Sequence, residues 1–349
     1  MKNNVTRLPK QIKNEAHLEE LLSTPREELG AYFSKIEGDL LILGAGGKMG
    51  PTLAKMARNA FHLSNPDRKV IAVSRFSNSE THADLLHHGV ETIQCDLLNR
   101  TSLERLPSAQ NIIYMAGKKF GSHGNEADTW AMNAYLPGMV AERFDQSRIA
   151  AFSTGNVYPF VPVESGGCTE EAPLNPLGEY AQSCMARERV FEYFSQINQS
   201  EIVLLRLNYA VEMRYGVLLD IAMRVYQETP IDLSMGHVNV IWQGDANAYA
   251  LLALQECQSP PSVLNLTGRK TLSVRVLAEQ FGDRFHKQPC FEGEESCTAL
   301  LSNASKCIRQ YGEPTVSIEQ MVDWLADWVR REMPTWNKPT KYSSRTGKF

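Results

Sequence analysis

The segment LILGAGGKMG, residues 41–50, decides the fold of this chain. A short apolar run from Leu40 to Leu43 has the character of a strand that is buried on both faces. Gly44, Gly47 and Gly50 follow, and apolar side chains then recur at helical spacing up to residue 60. A strand, a glycine turn and a helix in this order predict a loop that holds a pyrophosphate at the helix N-terminus.

The chain then repeats the alternation of strand and helix that this segment begins. Further strands are predicted at KVIAVSRF, ETIQCDL, AQNIIYMAG, IAAFSTGNVY and EIVLLRLNYA, with helical segments between most of them. Such alternation implies a parallel sheet with helices on both faces. We expect an α/β fold, a Rossmann-type doubly wound parallel sheet with a smaller C-terminal α/β substrate domain.

The pattern also predicts how the chain is divided. Residues 1–37 form an N-terminal helical extension, and residues 38–208 form the dinucleotide-binding domain, to which 238–262 return. Residues 209–237 and 263–332 form the substrate-binding domain. The polar tail, 333–349, is expected to lie as an arm over the surface or to be partly mobile.

Composition disfavours several classes of protein. A chain of 349 residues with 43% hydrophobic residues can bury a sizeable core, and its net charge of −4 argues against a nucleic-acid partner. The N-terminus lacks an apolar signal core, and no apolar run approaches the roughly 20 residues that cross a bilayer. Seven scattered cysteines without a CxxC pair favour neither zinc nor disulfides. We expect a reduced, cytoplasmic protein without a metal or a membrane partner.

The end of the second strand bears on the choice of cofactor. A fold that selects NAD usually has Asp or Glu there to hold the ribose 2′-hydroxyl, whereas this chain has Ser74 and Arg75. Arginine can pair with a 2′-phosphate, and Lys48 in the glycine loop is near enough in sequence to help. These residues favour NADP(H), with NAD(H) as the alternative, because Arg75 could also be a solvated charge that stacks on adenine.

Several motifs in order resemble the extended short-chain dehydrogenase/reductase family, of the NAD-dependent epimerase/dehydratase type. They are LGAGGKMG, CDL, YMAGKKFG, WAMNAYLPG, FSTGNVYP, NPLGEYAQSC and VLNLTG, and the similarity spans about residues 38–330. The resemblance implies an NAD(P)-dependent oxidoreductase or epimerase/dehydratase that acts by hydride transfer on a hydroxyl of a sugar-like small molecule. It also implies a homodimer formed through a four-helix bundle that includes the NPLGEYAQSC helix.

The resemblance, together with the loop and strand ends, assigns site residues. Tyr180 is the expected acid/base, Thr154 orients the substrate oxygen, and Lys119 is the third catalytic residue. Residues expected to bind the cofactor are Gly44, Gly46, Gly47, Lys48, Met49, Gly50, Ser74, Arg75, Asp96, Leu97, Ala116, Gly117, Lys119 and Asn133. Residues expected to contact substrate are Asn156, Asn208, Arg214 and His237, although a histidine at a strand start is more often a satisfied structural residue.

One position departs from the family. The motif Tyr-x-x-x-Lys has Cys184 in place of the lysine, whose charge normally lowers the tyrosine pKa. Another cation can substitute, from Lys118, Lys119 or Arg187; the enzyme can use a weaker base; or hydride chemistry is lost. We favour the first, and interpret Cys184 as small apolar filler rather than a reactive thiol. The alternative function is a catalytically degenerate dinucleotide-binding protein with a sensing or scaffold role.

The substrate class stays open at this point. Nucleotide-sugar epimerases typically place an arginine about seven residues before the Asp of their D-x-A motif, here Asp245, and this chain has Val238 there. A free sugar, a sugar acid or another small polyol is as compatible with the sequence as a nucleotide-sugar.

Overall fold

The computed structural model describes residues 8–119, 121 and 124–348. A seven-stranded sheet lies at its centre. Its strands, labelled β1 to β7, are Leu40–Leu43, Val70–Ser74, Glu91–Gln94, Asn111–Tyr114, Arg148–Thr154, Ile202–Leu207 and Ser262–Leu266. Every neighbouring pair is parallel, and the spatial order is β7-β6-β5-β4-β1-β2-β3. The predicted Rossmann-type doubly wound sheet is confirmed.

Helices cover both faces of the sheet. In chain order they are α1 to α13: Glu15–Ser23, Glu27–Phe33, Gly50–Ser64, Ser79–His87, Arg100–Glu104, Glu126–Trp130, Leu136–Arg143, Gly178–Asn198, Val217–Tyr226, Gln243–Leu252, Val274–Phe285, Ser305–Tyr311 and Ile318–Arg330. A π-helical turn, Ala131–Tyr135, joins α6 to α7. Within the described ranges, no helix has the length and apolar character needed to cross a membrane.

The apolar run that begins the fold is buried on both faces, as predicted. All four residues of β1 are buried. Because successive strand residues point to opposite faces, Leu40 and Ile42 join the core on the α3 side, and Leu41 and Leu43 join the core on the α7 side. The chain leaves β1 toward β2 and later returns to β4 on its other side, so a crevice opens at the carboxyl ends of these strands.

A second apolar core, built on α9, α11 and α13, lies beyond the sheet. The predicted boundary at residue 262 differs from the structure here, because 263–266 complete the edge strand β7 and belong with the sheet. Helix α10, within the segment predicted to return to the dinucleotide domain, packs into the core of the sheet through Ala246 and Leu251.

Both ends of the described chain are bound to the body of the protein. Leu18 and Leu22 of α1 join the second core, and Phe33 of α2 joins the core of the sheet. The tail was expected to be an arm over the surface or partly mobile. Instead, Tyr342 is buried in the second core, and Thr340 donates to the Asp220 carboxylate of α9. The tail is therefore part of the packed structure.

Candidate active site

A cleft of about 330 Å³ lies at the carboxyl ends of the strands around β1. Its lining includes nine of the residues expected to bind the cofactor: Gly44, Gly46, Gly47, Ser74, Arg75, Asp96, Leu97, Ala116 and Gly117. Gly44 has φ +93°, and a Cβ there would lie 2.6 Å from the Ala116 backbone nitrogen. Only glycine allows the loop to turn so close to β4, and this leaves room for a ligand's phosphates.

The rim of this cleft has the charge pattern that the sequence suggested. Ser74 ends β2, and the exposed Arg75 follows it at the edge of the cleft. Asp96 is the one carboxylate among the described lining residues, and its Oδ1 accepts from the Leu98 backbone at 3.1 Å. The end of β2 therefore presents a cation and no acid.

Lys48 lies elsewhere than expected. Its ammonium group donates to the Ala210 carbonyl at 2.6 Å and lies 4.8 Å from the ring centre of Tyr215. It therefore lines the neighbouring cavity and not the cleft beside Arg75, contrary to the expectation that it helps to hold a 2′-phosphate. Burial lowers the pKa of Lys48 to about 8, opposed by the nearby carboxylate of Glu212.

This neighbouring space, which we call the reaction cavity, has a volume of about 180 Å³. It is lined by Lys48, Met49, Lys119, Ser153, Thr154, Asn156, Tyr180, Leu207, Asn208, Tyr209, Ala210, Tyr215, Gly216, Val217 and Thr340. The glycine loop, the ends of β4, β5 and β6, and the first turn of α8 meet here. The structure thus brings together the three expected catalytic residues with Asn156 and Asn208.

Tyr180 projects from the start of α8 toward the end of β5. Side-chain hydrogen bonds link it to Thr154 and to Cys184. Thr154 in turn donates to Asn156 Oδ1 at 3.0 Å and accepts from the Asn156 backbone at 3.2 Å. The phenol and the threonine hydroxyl are therefore adjacent.

The electrostatic surroundings make Tyr180 a reluctant acid. Burial raises its pKa well above the usual value, and Cys184 adds to this rise, while Arg187 and the hydrogen bond with Thr154 lower it. Burial also raises the pKa of the Cys184 thiol, which packs in a small apolar cluster with Val157. Cys184 is therefore held as a neutral thiol, which cannot supply the charge of a lysine.

The candidate replacement cations differ in position. The Lys119 ammonium lies 5.6 Å from the ring centre of Tyr180, and burial lowers the Lys119 pKa to about 8. Arg187 is buried and donates at 2.8 Å both to the Phe152 carbonyl and to Asn133 Oδ1. The Lys118 ammonium pairs instead with the exposed Asp128 at 3.4 Å. Lys119 is thus the lysine of the pair that reaches the cavity.

Two residues expected to bind the cofactor, Asn133 and Gly50, do not line the cleft but hold neighbouring parts of the backbone in place. Asn133 is fully buried; its Oδ1 accepts from the Lys118 backbone at 2.8 Å, and its amide group donates to the Lys118 carbonyl at 2.9 Å. It fixes the segment after β4. At Gly50, a Cβ would lie 2.2 Å from the Ala45 carbonyl oxygen, so glycine here lets α3 pack against the loop.

Two residues expected to contact substrate lie outside the lining of the reaction cavity. Arg214 pairs with Glu212 at 3.2 Å and with Glu19 of α1 at 2.7 Å, so it holds the N-terminal helix to the body. His237 lies in a two-residue strand beside Ser273. Within residues 8–119, 121 and 124–348, no group of three His, Cys, Asp or Glu side chains is arranged to hold a metal ion.

Tyr209 and Thr340 are among the lining residues that the sequence did not indicate. Tyr209 follows β6 with φ +47°. Thr340 arrives from the tail, and no motif marks it.

The chain is similar to known proteins in sequence over one domain and in fold. A family model, described as NAD dependent epimerase/dehydratase family, matches residues 40–211. Comparison of the sequence with curated proteins finds no match. Among solved structures, UDP-glucose 4-epimerase of Thermotoga maritima superposes with a TM-score of 0.69 at 16% identity, covering 84% of this chain and 99% of that one.

Two further structures are similar to the same extent. UDP-glucuronic acid 4-epimerase of Bacillus cereus, in complex with NAD, has a TM-score of 0.69 at 17% identity and covers 84% of this chain and 99% of its own. dTDP-glucose 4,6-dehydratase of Bacillus anthracis, in complex with NAD, has a TM-score of 0.70 at 16% identity and covers 84% and 97%. Residues 40–211 therefore form a domain of the NAD-dependent epimerase/dehydratase family.

Proposed function

We propose that this protein is an NAD(P)-dependent oxidoreductase or epimerase/dehydratase that acts on a hydroxyl of a sugar-like small molecule, with Tyr180 as acid/base. The observation that carries the proposal is the shared reaction cavity of Tyr180, Thr154 and Lys119, directly beside the glycine-lined cleft. The NAD-bound relatives of the same fold support a nicotinamide cofactor. None of the seven cysteines forms a disulfide, which is compatible with a location in the reducing cytoplasm.

The residues of the cavity divide the chemistry between them. A nicotinamide dinucleotide, when bound, would accept or return the hydride at the carbinol carbon. Thr154 positions the substrate oxygen, and Tyr180 removes or returns the hydroxyl proton. Because the pKa of Tyr180 is raised, its phenolate requires nearby positive charge. Lys119 beside the ring and Arg187 behind it are the groups that we assign to this role.

Cofactor choice gives the first test. We propose that NADP(H) is preferred, supported by Arg75 at the end of β2. Arg75→Ala should weaken NADP binding about 10- to 100-fold, the size of a hydrogen bond to a charged group of about 1.5–3 kcal/mol, and leave NAD binding unchanged. Fluorescence titration of both nucleotides measures this. Arg105→Ala, an exposed arginine outside the cleft, is the control. Tighter binding of NAD than of NADP by the natural chain contradicts the preference.

The role of Lys119 gives a pH-dependent test. With its pKa near 8, the amine is charged below that pH and loses its charge as the pH rises through it. Turnover of the natural chain should therefore fall above pH about 8. Lys119→Met should lower the rate about 10- to 100-fold below pH 8, by the same charged hydrogen-bond estimate, and remove that limb of the profile. Lys118→Met should keep both the rate and the limb, and an unchanged profile in Lys119→Met rules the assignment out.

A second candidate function rests on the raised pKa of Tyr180 and the neutral thiol of Cys184. If neither cation stabilises the phenolate, the protein binds a dinucleotide without turnover and acts as a sensor or scaffold. Tight nucleotide binding, with no reduction of bound NADP⁺ by any member of a broad panel of sugars and polyols, distinguishes this function from the first.

A homodimer is also proposed. It is supported by large side chains that are exposed on α8 and on the adjacent π-helical turn. These are Tyr193 and Ile197 of α8 and Tyr135 of the turn. Sedimentation of the full chain at several concentrations tests it.

A further inference from the structure

A second cavity, of about 300 Å³, continues from the reaction cavity. The two share Asn156 and Tyr209, so a substrate with its reacting hydroxyl at Tyr180 would extend into the second. The rest of its lining is Tyr158, Pro159, Phe160, Asn175, Pro176, Leu177, Met235, Leu300, Lys341, Ser344 and Gly347. The last three belong to the tail, which therefore forms one wall of this space.

We call residues 339–348 the strap, and they are fixed at several points along their length. Near one end, Thr340 donates through its backbone to Asp220 at 2.9 Å, and it also lines the reaction cavity. In the middle, the Arg345 guanidinium donates to the carbonyl and hydroxyl of Thr298 at 2.8 and 2.7 Å and lies 4.2 Å from the ring centre of Phe160. These bonds attach the strap to α9 and to the segment around Thr298.

The other end of the strap touches the helix that carries Tyr180. Gly347 has φ +68°, and a Cβ there would lie 2.2 Å from the Leu177 carbonyl oxygen. Gly178, the first residue of α8, is equally close: its own Cβ would lie 2.4 Å from the Gly347 oxygen. The strap thus runs from α9 to the start of α8 and closes the far side of the second cavity.

The second cavity has the wrong charge for a nucleoside diphosphate. Two phosphates removed from water need several cationic donors, most often arginines that bind oxygens in pairs. Among the described lining residues, Lys341 is the one charged side chain, and it is exposed. Arg345 is not part of the lining, and its guanidinium donates to Thr298. Val238, where related epimerases place an arginine, is buried beside Leu272.

The same lining matches a neutral sugar. Phe160, Leu177 and Met235 offer apolar surface for the C–H faces of a pyranose, and Asn156 and Asn175 offer amide groups for its hydroxyls. We propose that this cavity, with the strap as one wall, selects a neutral sugar-like alcohol that carries no nucleotide. This rests on the proposed function for the reacting hydroxyl and adds the class of substrate.

The test asks whether a nucleotide-sugar binds to the natural chain and to a variant with a displaced strap. Calorimetric titration of UDP-glucose into the full chain saturated with NADP⁺ should show no binding. Gly347→Ala, which forces the strap away from Leu177, adds no cation to the lining and should show no binding either. Gly166→Ala, at a glycine with φ +77° and no close neighbour, should behave as the natural chain and controls for backbone strain.

Two readouts separate this inference from the proposed function. Reduction of bound NADP⁺ by a panel of neutral sugars and polyols tests the function alone. For any member that reacts, Gly347→Ala should raise KM at least about tenfold, because one wall of the site is displaced. Binding of UDP-glucose by the natural chain overturns the inferred class of substrate, and an unchanged KM in Gly347→Ala overturns the role of the strap. Failure of every sugar to reduce the cofactor overturns the function instead, whatever the titrations show.

Discussion

Replacing Tyr180 with phenylalanine should lower the rate of cofactor reduction by about 100- to 10,000-fold, the usual contribution of a positioned acid/base. The change removes one oxygen and keeps the ring, so packing against the Cys184 cluster is preserved. It removes the proton acceptor beside Thr154 while leaving the glycine-lined cleft intact. Dissociation constants for NADP⁺ should therefore be unchanged.

The measurement is single-turnover reduction of bound NADP⁺ by the most reactive sugar of the panel, followed by absorbance of the reduced nicotinamide. Tyr193→Phe is the matched control, because Tyr193 lies on the same helix and is 59% exposed. It should react as the natural chain does. Turnover that survives in Tyr180→Phe shows that another group is the acid/base, and Lys119, with its pKa near 8, is then the first candidate.

The features that the sequence predicted well are those determined by residues close to one another along the chain. The apolar run of β1, the glycine loop and α3 form one continuous segment, and their geometry is fixed by backbone sterics and helix-terminus electrostatics. The alternation of strands and helices then permits few arrangements other than a doubly wound sheet. Tyr180, in the first turn of α8, and Thr154, at the end of β5, could be assigned because the motifs NPLGEYAQSC and FSTGNVYP resemble those of the family.

What the sequence could not predict depends on contacts between distant segments. Lys48 turns away from Arg75 because its ammonium reaches the carbonyl of Ala210, which lies in a two-residue strand 162 residues further along the chain. Arg214 forms an ion pair with Glu19, a residue of the N-terminal extension, and therefore does not line the reaction cavity. Thr340 reaches the cavity because Asp220 holds it there. None of these pairings has a pattern in the neighbouring sequence. The type of each side chain indicated which chemistry it could take part in, but not where in the structure it would lie.

A buried ion pair lies behind the reaction cavity, and we expect its loss to lower the free energy of unfolding strongly. Glu188 of α8 and Arg206 of β6 are both buried, and the guanidinium donates to the carboxylate at 3.1, 3.2 and 2.7 Å. The Ser153 hydroxyl also donates to Glu188, and Arg206 donates to the Tyr158 hydroxyl at 2.8 Å. The pair therefore fixes the end of β5, which carries Thr154, to the helix that carries Tyr180.

Glu188→Ala should lower the free energy of unfolding by about 3–5 kcal/mol, because it leaves the Arg206 guanidinium buried without its counter-ion. Urea unfolding followed by circular dichroism measures this. Glu192→Ala is the control, because Glu192 lies on the same helix and pairs with the exposed Arg189. It should lower the free energy of unfolding by no more than about 1 kcal/mol. The double variant Glu188→Leu with Arg206→Met should recover most of the loss, since removing both charges also removes their desolvation cost. Equal losses in the two single alanine variants would mean that the pair contributes to position only, and not to stability.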